Sequence, residues 1–195
     1  MGYALALFFI LNKQMACDLT KGRAVPCKDV VGGIYKVTFI NYEDLDASDI
    51  AFSSDEITDI SATFTAYVYE VKGNSSFEQS FNSSRENGTT FFTQTLSLTL
   101  PKLSKEDNKE LKLMAYGRPK VVVQDNNGNA FMMGVNYGAE VTGGTIVTGA
   151  AMGDLSGYTL TLEAQEQLPA NFIAGATNAD PFAGCASSNI TLDLN

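Results

Sequence analysis

Residues 88–117 read GTTFFTQTLSLTLPKLSKEDNKELKLMAYG, and this run decides the fold class because its hydrophobic period switches from two to helical within one stretch. In the first half Phe92, Gln94, Leu96, Leu98 and Leu100 place mostly apolar side chains on one face. Thr93, Thr95, Ser97 and Thr99 place hydroxyls on the other, so the pattern predicts a long, half-buried strand. Ser104 with Asp107 three residues on then reads as a capping box. Leu103, Leu111 and Met114 line one helical face, and Gly117 followed by Pro119 stops the helix. A helix over about residues 104–116, roughly 20 Å long, is expected among strands.

Downstream, residues 120–124 and 130–135 flank Asp125-Asn126-Asn127-Gly128-Asn129. Asn127-Gly128 is a pair that tight hairpins favour. Six glycines fall between Gly138 and Gly157, interleaved with Thr142, Thr145, Ile146 and Val147. They predict a loop or loosely paired hairpin too flexible for core. Tyr158, Leu160 and Leu162 alternate with Thr159, Thr161 and Glu163 to close the sheet, and beyond Pro169 small residues read as a C-terminal tail that crosses a neighbour.

Upstream, Tyr35, Val37 and Phe39 alternate with Lys36, Thr38 and Asn41 after a Gly32-Gly33 turn, predicting a first strand. Residues 43–59 carry seven carboxylates with little periodicity. They read as an exposed link with a short strand near residues 57–60. Residues 64–71 set Tyr67, Tyr69 and Val71 against Phe64, Ala66 and Val68. A strand apolar on both sides needs two covers, the domain core on one side and a helix or neighbouring subunit on the other. Residues 74–86 are polar but alternate at Phe77 and Phe81, as a strand with one wet face does. The expected architecture is mainly β: a β-sandwich or open barrel of two packed antiparallel sheets with one flanking helix.

The 195 residues, 45% of them hydrophobic, suffice for one domain with a proper core. A formal charge of −9 opposes tight binding to nucleic acid, although a negative wall lets a polyanion pass without sticking. Histidine is absent, which removes the usual neutral-pH general base and the commonest zinc ligand. Cys17, Cys27 and Cys185 form no C-x-x-C pair. They read as reduced thiols acting as small hydrophobes, with a Cys17–Cys27 bridge as the alternative. The apolar run at residues 3–11 resembles a short signal core but lacks a basic n-region, and it is too short to span a bilayer. Three readings remain for residues 1–14: an upstream extension with the true start at Met15, a lipoprotein or secretory signal, and a structured arm. Residues 15–169 are expected to form the β domain and 170–195 the tail.

Chemical constellations are weak. The Asp125 loop has the alternating oxygens of a calcium loop, but Asn136 stands where the closing acid belongs. Gly143-Gly144 and Gly149 lack the lysine of a phosphate cradle. Acid pairs such as Asp44 with Asp46, or Asp55 with Glu56, lie in a polar segment and read as solvated charge rather than as a glycosidase pair. Asn74, Asn82, Asn87 and Asn189 open N-x-S/T triplets, which Ser/Asn-rich turns produce by chance. The expectation is no enzyme activity, no cofactor and no metal.

Several segments resemble one family, the tail tube (major tail) proteins of long-tailed bacteriophages, in the form carried by Bacteroidetes phages and prophages. They are Met15-Ala16-Cys17 leading to Gly32-Gly33-Ile34, Asn87 to Phe91 (NGTTF), Leu111 to Arg118 (LKLMAYGR) and Val123 to Gly128 (VQDNNG). Gly138 to Gly149 (GAEVTGGTIVTG), Gly153-Asp154 and Gly157 to Leu162 (GYTLTL) continue the series. The likeness spans roughly residues 15–169 and is one of pattern.

The resemblance implies a structural virion protein. Six copies would form a ring and rings would stack into a hollow tube, a conduit for DNA during ejection, with inner strands joined into one barrel that leaves no open edge. Its partners would be further copies of itself and the tape-measure, terminator and distal tail proteins, with no membrane and no specific DNA contact. Candidate inter-subunit residues are Gly138, Gly143, Gly144, Ile146, Val147, Gly149 and Met152 in the glycine-rich loop. Tyr67, Tyr69, Thr93, Thr95 and Ser97 are candidates on strand faces, and the lumen is expected to be net negative. Alternatives are a secreted or lipid-anchored β-sandwich binding module, or a related phage part such as a tail terminator, neck or head decoration protein.

Overall fold

The computed structural model describes residues 21–71, 73–185 and 189–194, so the apolar run at residues 3–11 and Cys17 lie outside the described residues. The chain first forms β1 (Ile34–Ile40), two 3-10 turns, β2 (Ile50–Ser53), β3 (Glu56–Ile60), β4 (Thr63–Glu70), β5 (Ser76–Ser84) and β6 (Thr89–Pro101). The helix α1 (Lys105–Tyr116) follows, then β7 (Lys120–Asp125), β8 (Ala130–Met133), β9 (Glu140–Val147), β10 (Gly157–Glu166), β11 (Asn171–Ile173) and β12 (Asn189–Asp193). Sheet I has eight strands in the order β12-β4-β1-β7-β8-β11-β3-β2, and sheet II has four, β5-β6-β10-β9. The fold is mainly β, two packed sheets with one flanking helix, as the sequence predicts.

Sheet I has apolar residues on both faces, and each face builds a core. Val37, Phe39, Val121 and Val123 meet Leu96, Leu98, Leu162 and Ala164 of sheet II in the sandwich core. On the opposite face Ile40, Ile57, Ile60, Phe64, Val122 and Met132 join Ile173, Phe182 and Cys185 in a second cluster. Strands from both ends of the sheet order contribute to that cluster, so sheet I must curl into an open barrel around it. Each fully buried Ile, Leu or Phe contributes about 1.5–3 kcal/mol, so the two cores together hold the curl.

Four sequence expectations change. The acidic stretch is not an exposed link: Leu45, Ile50, Ile57 and Ile60 are buried, and β2 and β3 form a hairpin whose Ser54 and Asp55 take φ of 54° and 63°. Two consecutive left-handed residues make a hairpin turn of matching twist, here without the usual glycine. The segment after Pro169 is not a free tail, since β11 pairs with β8 and β3 while β12 pairs with β4. Because the β3–β11 and β4–β12 pairs are parallel, sheet I is mixed rather than antiparallel. Finally, the glycine-rich stretch is a hairpin through residue 147, in which β9 pairs along β10 with one bulge, where Thr142 is the extra residue between Gly143 opposite Thr161 and Val141 opposite Leu162.

The helix start is as read, with one substitution of partners. Ser104 Oγ accepts from the Asp107 N–H at 2.9 Å, but the Ser104 N–H donates to Tyr158 Oη at 3.3 Å instead of to the Asp107 carboxylate. The phenol on β10 thus completes the cap and ties α1 to sheet II. Gly117 ends the helix with φ −94°, so glycine's left-handed freedom is not used there.

Lys36 and Thr38, the polar positions of the β1 alternation, are buried along with Val37 and Phe39, because β1 is a central strand with a packed cluster on each face of sheet I. Lys36 meets Glu70 across the β1–β4 pair at 3.5 Å. Thr38 Oγ1 has no hydrogen-bond partner among the described residues. An unmatched buried hydroxyl destabilises, so Thr38→Val, which keeps the shape, is expected to raise the unfolding free energy by about 1 kcal/mol in urea denaturation.

Candidate assembly surfaces

Sheet II presents a mostly polar outer face, on which Phe91 and Val147 are apolar positions toward the strand ends. Alternation turns Leu96, Leu98 and Leu162 inward, and the strand registers set Thr93, Thr95, Ser97 and Thr99 beside Gln165, Glu163, Thr161 and Thr159. Thr159 in turn faces Thr145 on β9, with the two hydroxyls 2.6 Å apart. Asn82 on β5 donates to Thr93 Oγ1 at 3.2 Å, so side-chain bonds knit the plane across strands. One row crosses all four strands as Glu78, Thr95, Glu163 and Glu140. No Lys or Arg occurs in β5, β6, β9 or β10. Glu163 and Glu140 are direct neighbours of like charge, an arrangement that weakens strand pairing.

Among the described residues both lateral edges of sheet II are unpaired, β5 at one side and β9 at the other. β9 is mostly exposed, with Gly143 and Gly144 giving flat backbone and Ile146 63% exposed. An exposed edge with unpaired backbone groups is a template for a further strand.

The candidate residues divide into three groups. Thr93, Thr95 and Ser97 lie on the outer face of sheet II with Gly143, while Gly144 and Ile146 turn to the inner side of edge strand β9 and Val147 ends it. Gly149 and Met152 belong to the β9–β10 turn, closed by Asp154 Oδ2, which accepts from the Ala150 and Ala151 N–H groups at 2.9 and 2.8 Å. Gly138 stands apart: it is buried, has φ +77°, and packs against the Arg118 carbonyl, so its role is in the turn before β9.

Tyr67 and Tyr69 are not with the threonines. They line an open cleft of about 640 Å³ between sheet I and α1, with Leu113 and Met114 of the helix and Arg118 beyond it. The Arg118 guanidinium stacks 4.0 Å over the Tyr42 ring, and Tyr42 Oη donates to the Asn136 carbonyl at 2.7 Å. Burial raises the Tyr69 phenol, and Glu110 and Asp107 raise it further, so it stays protonated. Tyr42 and Arg118 lie far apart in sequence, and no local pattern marks the cleft.

Two buried polar groups nearby are structural. Lys120 donates its ammonium to the Leu45 carbonyl, and burial lowers its pKa against the opposing pull of Asp46, Glu166 and Asp49. Glu166 accepts from the N–H groups of Asn136 and Tyr137 and from the Asn136 amide, each at 2.9 Å, fixing the turn that leads to Gly138. The Asp125 loop is likewise a turn: its carboxylate accepts from the backbone and side-chain N–H groups of Asn127 and Asn129, leaving little lone-pair capacity for a cation. Among the described residues no cluster of three or more metal-ligating side chains occurs, and no helix is long and apolar enough to cross a membrane.

Comparison with models of protein families, with curated proteins and with solved structures finds no match to this chain.

Proposed function

We propose that this chain is a structural virion protein that assembles into the tail tube of a long-tailed bacteriophage and conducts DNA. The observation that carries the reading is sheet II: a hydroxyl-rich outer face without Lys or Arg, crossed by a row holding three glutamates, on a four-stranded sheet that is open at both edges among the described residues. Pairing β5 of one copy with β9 of the next would extend the sheet around a ring. The outer face would then line the bore, and Glu78, Glu163 and Glu140 would repeat as an acidic belt.

The dimensions are compatible with this role. Six four-stranded sheets, with strands about 4.8 Å apart and tilted about 40°, close at a backbone diameter on the order of 50 Å. Side chains reduce the bore to roughly 35–40 Å, which admits a duplex about 20 Å across. Repulsion from the acidic belt, on a face of mainly hydroxyl and amide side chains without a cation, favours passage over binding.

The face can be tested apart from the fold by replacing Glu78, Glu140 and Glu163 together with lysine. These side chains do not enter the core, so folding is expected to persist, as read by circular dichroism. The assembled variant is expected to bind duplex DNA in a salt-sensitive way while the parent does not. Equal DNA binding by variant and parent assemblies would place the belt elsewhere than in the bore.

A further inference from the structure

The first described residues run from Lys21 to Gly32 without secondary structure, exposed along their whole length, with Val25 97% and Val30 74% exposed. The base of this arm is held firmly. Val31 N–H donates to Asn127 Oδ1 at 2.9 Å, and Asn127 Nδ2 donates back to the Val31 carbonyl at 2.8 Å. Asn126 Nδ2 holds the Gly32 carbonyl at 2.9 Å. A side-chain amide thus acts as a strand partner and fixes the point from which the arm departs.

The arm differs from the rest of the chain in charge. Lys21, Arg23 and Lys28 stand against Asp29 alone, in a protein whose formal charge is −9. The tyrosine cleft beside α1 has the opposite balance, with Glu43, Asp44 and Glu110 against Arg118. Its floor, Tyr67, Tyr69 and Met114, offers apolar and aromatic surface suited to Val25, Pro26 and Val30. No arm residue lines the cleft of its own chain, and the arm departs from the opposite end of β1, about 20 Å of strand away.

We infer that the basic arm of one copy docks in the acidic, tyrosine-lined cleft of a second copy. Donor and acceptor are different surfaces, so the contact is heterologous and propagates head to tail, closing into a ring or continuing as a filament. Opposite charge would bring the two together and set orientation, while the buried valines and the proline supply most of the affinity. The contact is independent of the edge pairing of sheet II: it requires only two copies of this chain, whatever the assembly is for.

Two measurements on the full chain test it. Reversing the arm with Lys21→Glu, Arg23→Glu and Lys28→Glu changes only exposed side chains, and is expected to weaken self-association about tenfold or more in sedimentation equilibrium at low salt. Adding Glu43→Lys, Asp44→Lys and Glu110→Lys to that variant is expected to restore it. In a Cys17→Ser, Tyr67→Cys protein, a bis-maleimide is expected to join Cys27 of one copy to position 67 of the next and give a ladder of covalent multimers on a denaturing gel. Cys185 is buried, and its thiol, pushed up to about 11, stays out of the reaction. Crosslinks formed only within one chain, or a reversed arm that associates as the parent does, would overturn the inference. If tubes failed to form while the arm still crosslinked between copies, the tail-tube reading would fall and the arm contact would stand.

Discussion

Phe182→Ala is expected to lower the unfolding free energy by roughly 3–5 kcal/mol, a large share of a typical domain's stability. Phe182 is 2% exposed and meets Phe64 edge to face, with ring centroids 6.0 Å apart. It packs in the cluster around which sheet I curls, with Cys185 and Ile173. Removing the ring leaves a cavity enclosed by strands that cannot close over it, and it also forfeits the aromatic pair. Urea denaturation of the purified chain reads the effect directly. A change below about 1 kcal/mol would mean that the segment after Pro169 is the loose tail suggested by its small residues.

Gly138→Ala is expected to cost roughly 3–5 kcal/mol, whereas Gly143→Ala, a few residues on, is expected to be close to neutral. Gly138 has φ +77°, which strains any residue bearing a β-carbon, and that carbon would collide with the Arg118 carbonyl oxygen and come within 3.0 Å of the Tyr42 ring. Main chain would have to move, disturbing the Arg118–Tyr42 stack as well. At Gly143 nothing lies within 4 Å of an added β-carbon. Thermal unfolding of the two variants side by side separates a glycine required by the turn from one that leaves an edge strand flat. Equal effects would mean that the turn before β9 differs from that described.

What the sequence made legible were elements whose stabilising contacts are local or follow one regular period. β6 and α1 are of this kind: a period-two run, then the Ser104 cap and the Gly117 stop. The Asn127-Gly128 hairpin is another, since the turn demands a residue with φ near the 85° that Gly128 adopts. Of the β2–β3 hairpin the sequence shows only β3, the short strand expected near residues 57–60; β2 is too short to show a period, and the turn uses Ser54 and Asp55 without glycine. The C-terminal strands were missed for a different reason. The small residues lie in the segment between them, where Gly184 packs against the Ala174 backbone, and parallel partners as remote as β4 leave no local trace. Central placement likewise hides in the polar residues of β1, since Lys36 and Thr38 look like an outer face until the second cluster of sheet I covers them.

Of the candidate surfaces, the hydroxyl face of β6 could be read from alternation alone. Its extension into a four-strand plane with an acidic row could not, because the row depends on the registers of three strand pairs. The cleft was half visible: Tyr67 and Tyr69 were marked as needing a cover, and α1 proves to flank them without filling the space.

The central claim is that copies of this chain join through the edges of sheet II into a tube lined by its outer face. Electron microscopy of the purified protein at increasing concentration tests it most directly. The account predicts rings and stacked tubes with an open bore. Helical reconstruction should then set β5 of one copy beside β9 of the next, with Glu78, Glu140 and Glu163 facing the lumen. A protein that remains monomeric at high concentration, or a tube whose bore is lined by sheet I, would contradict it.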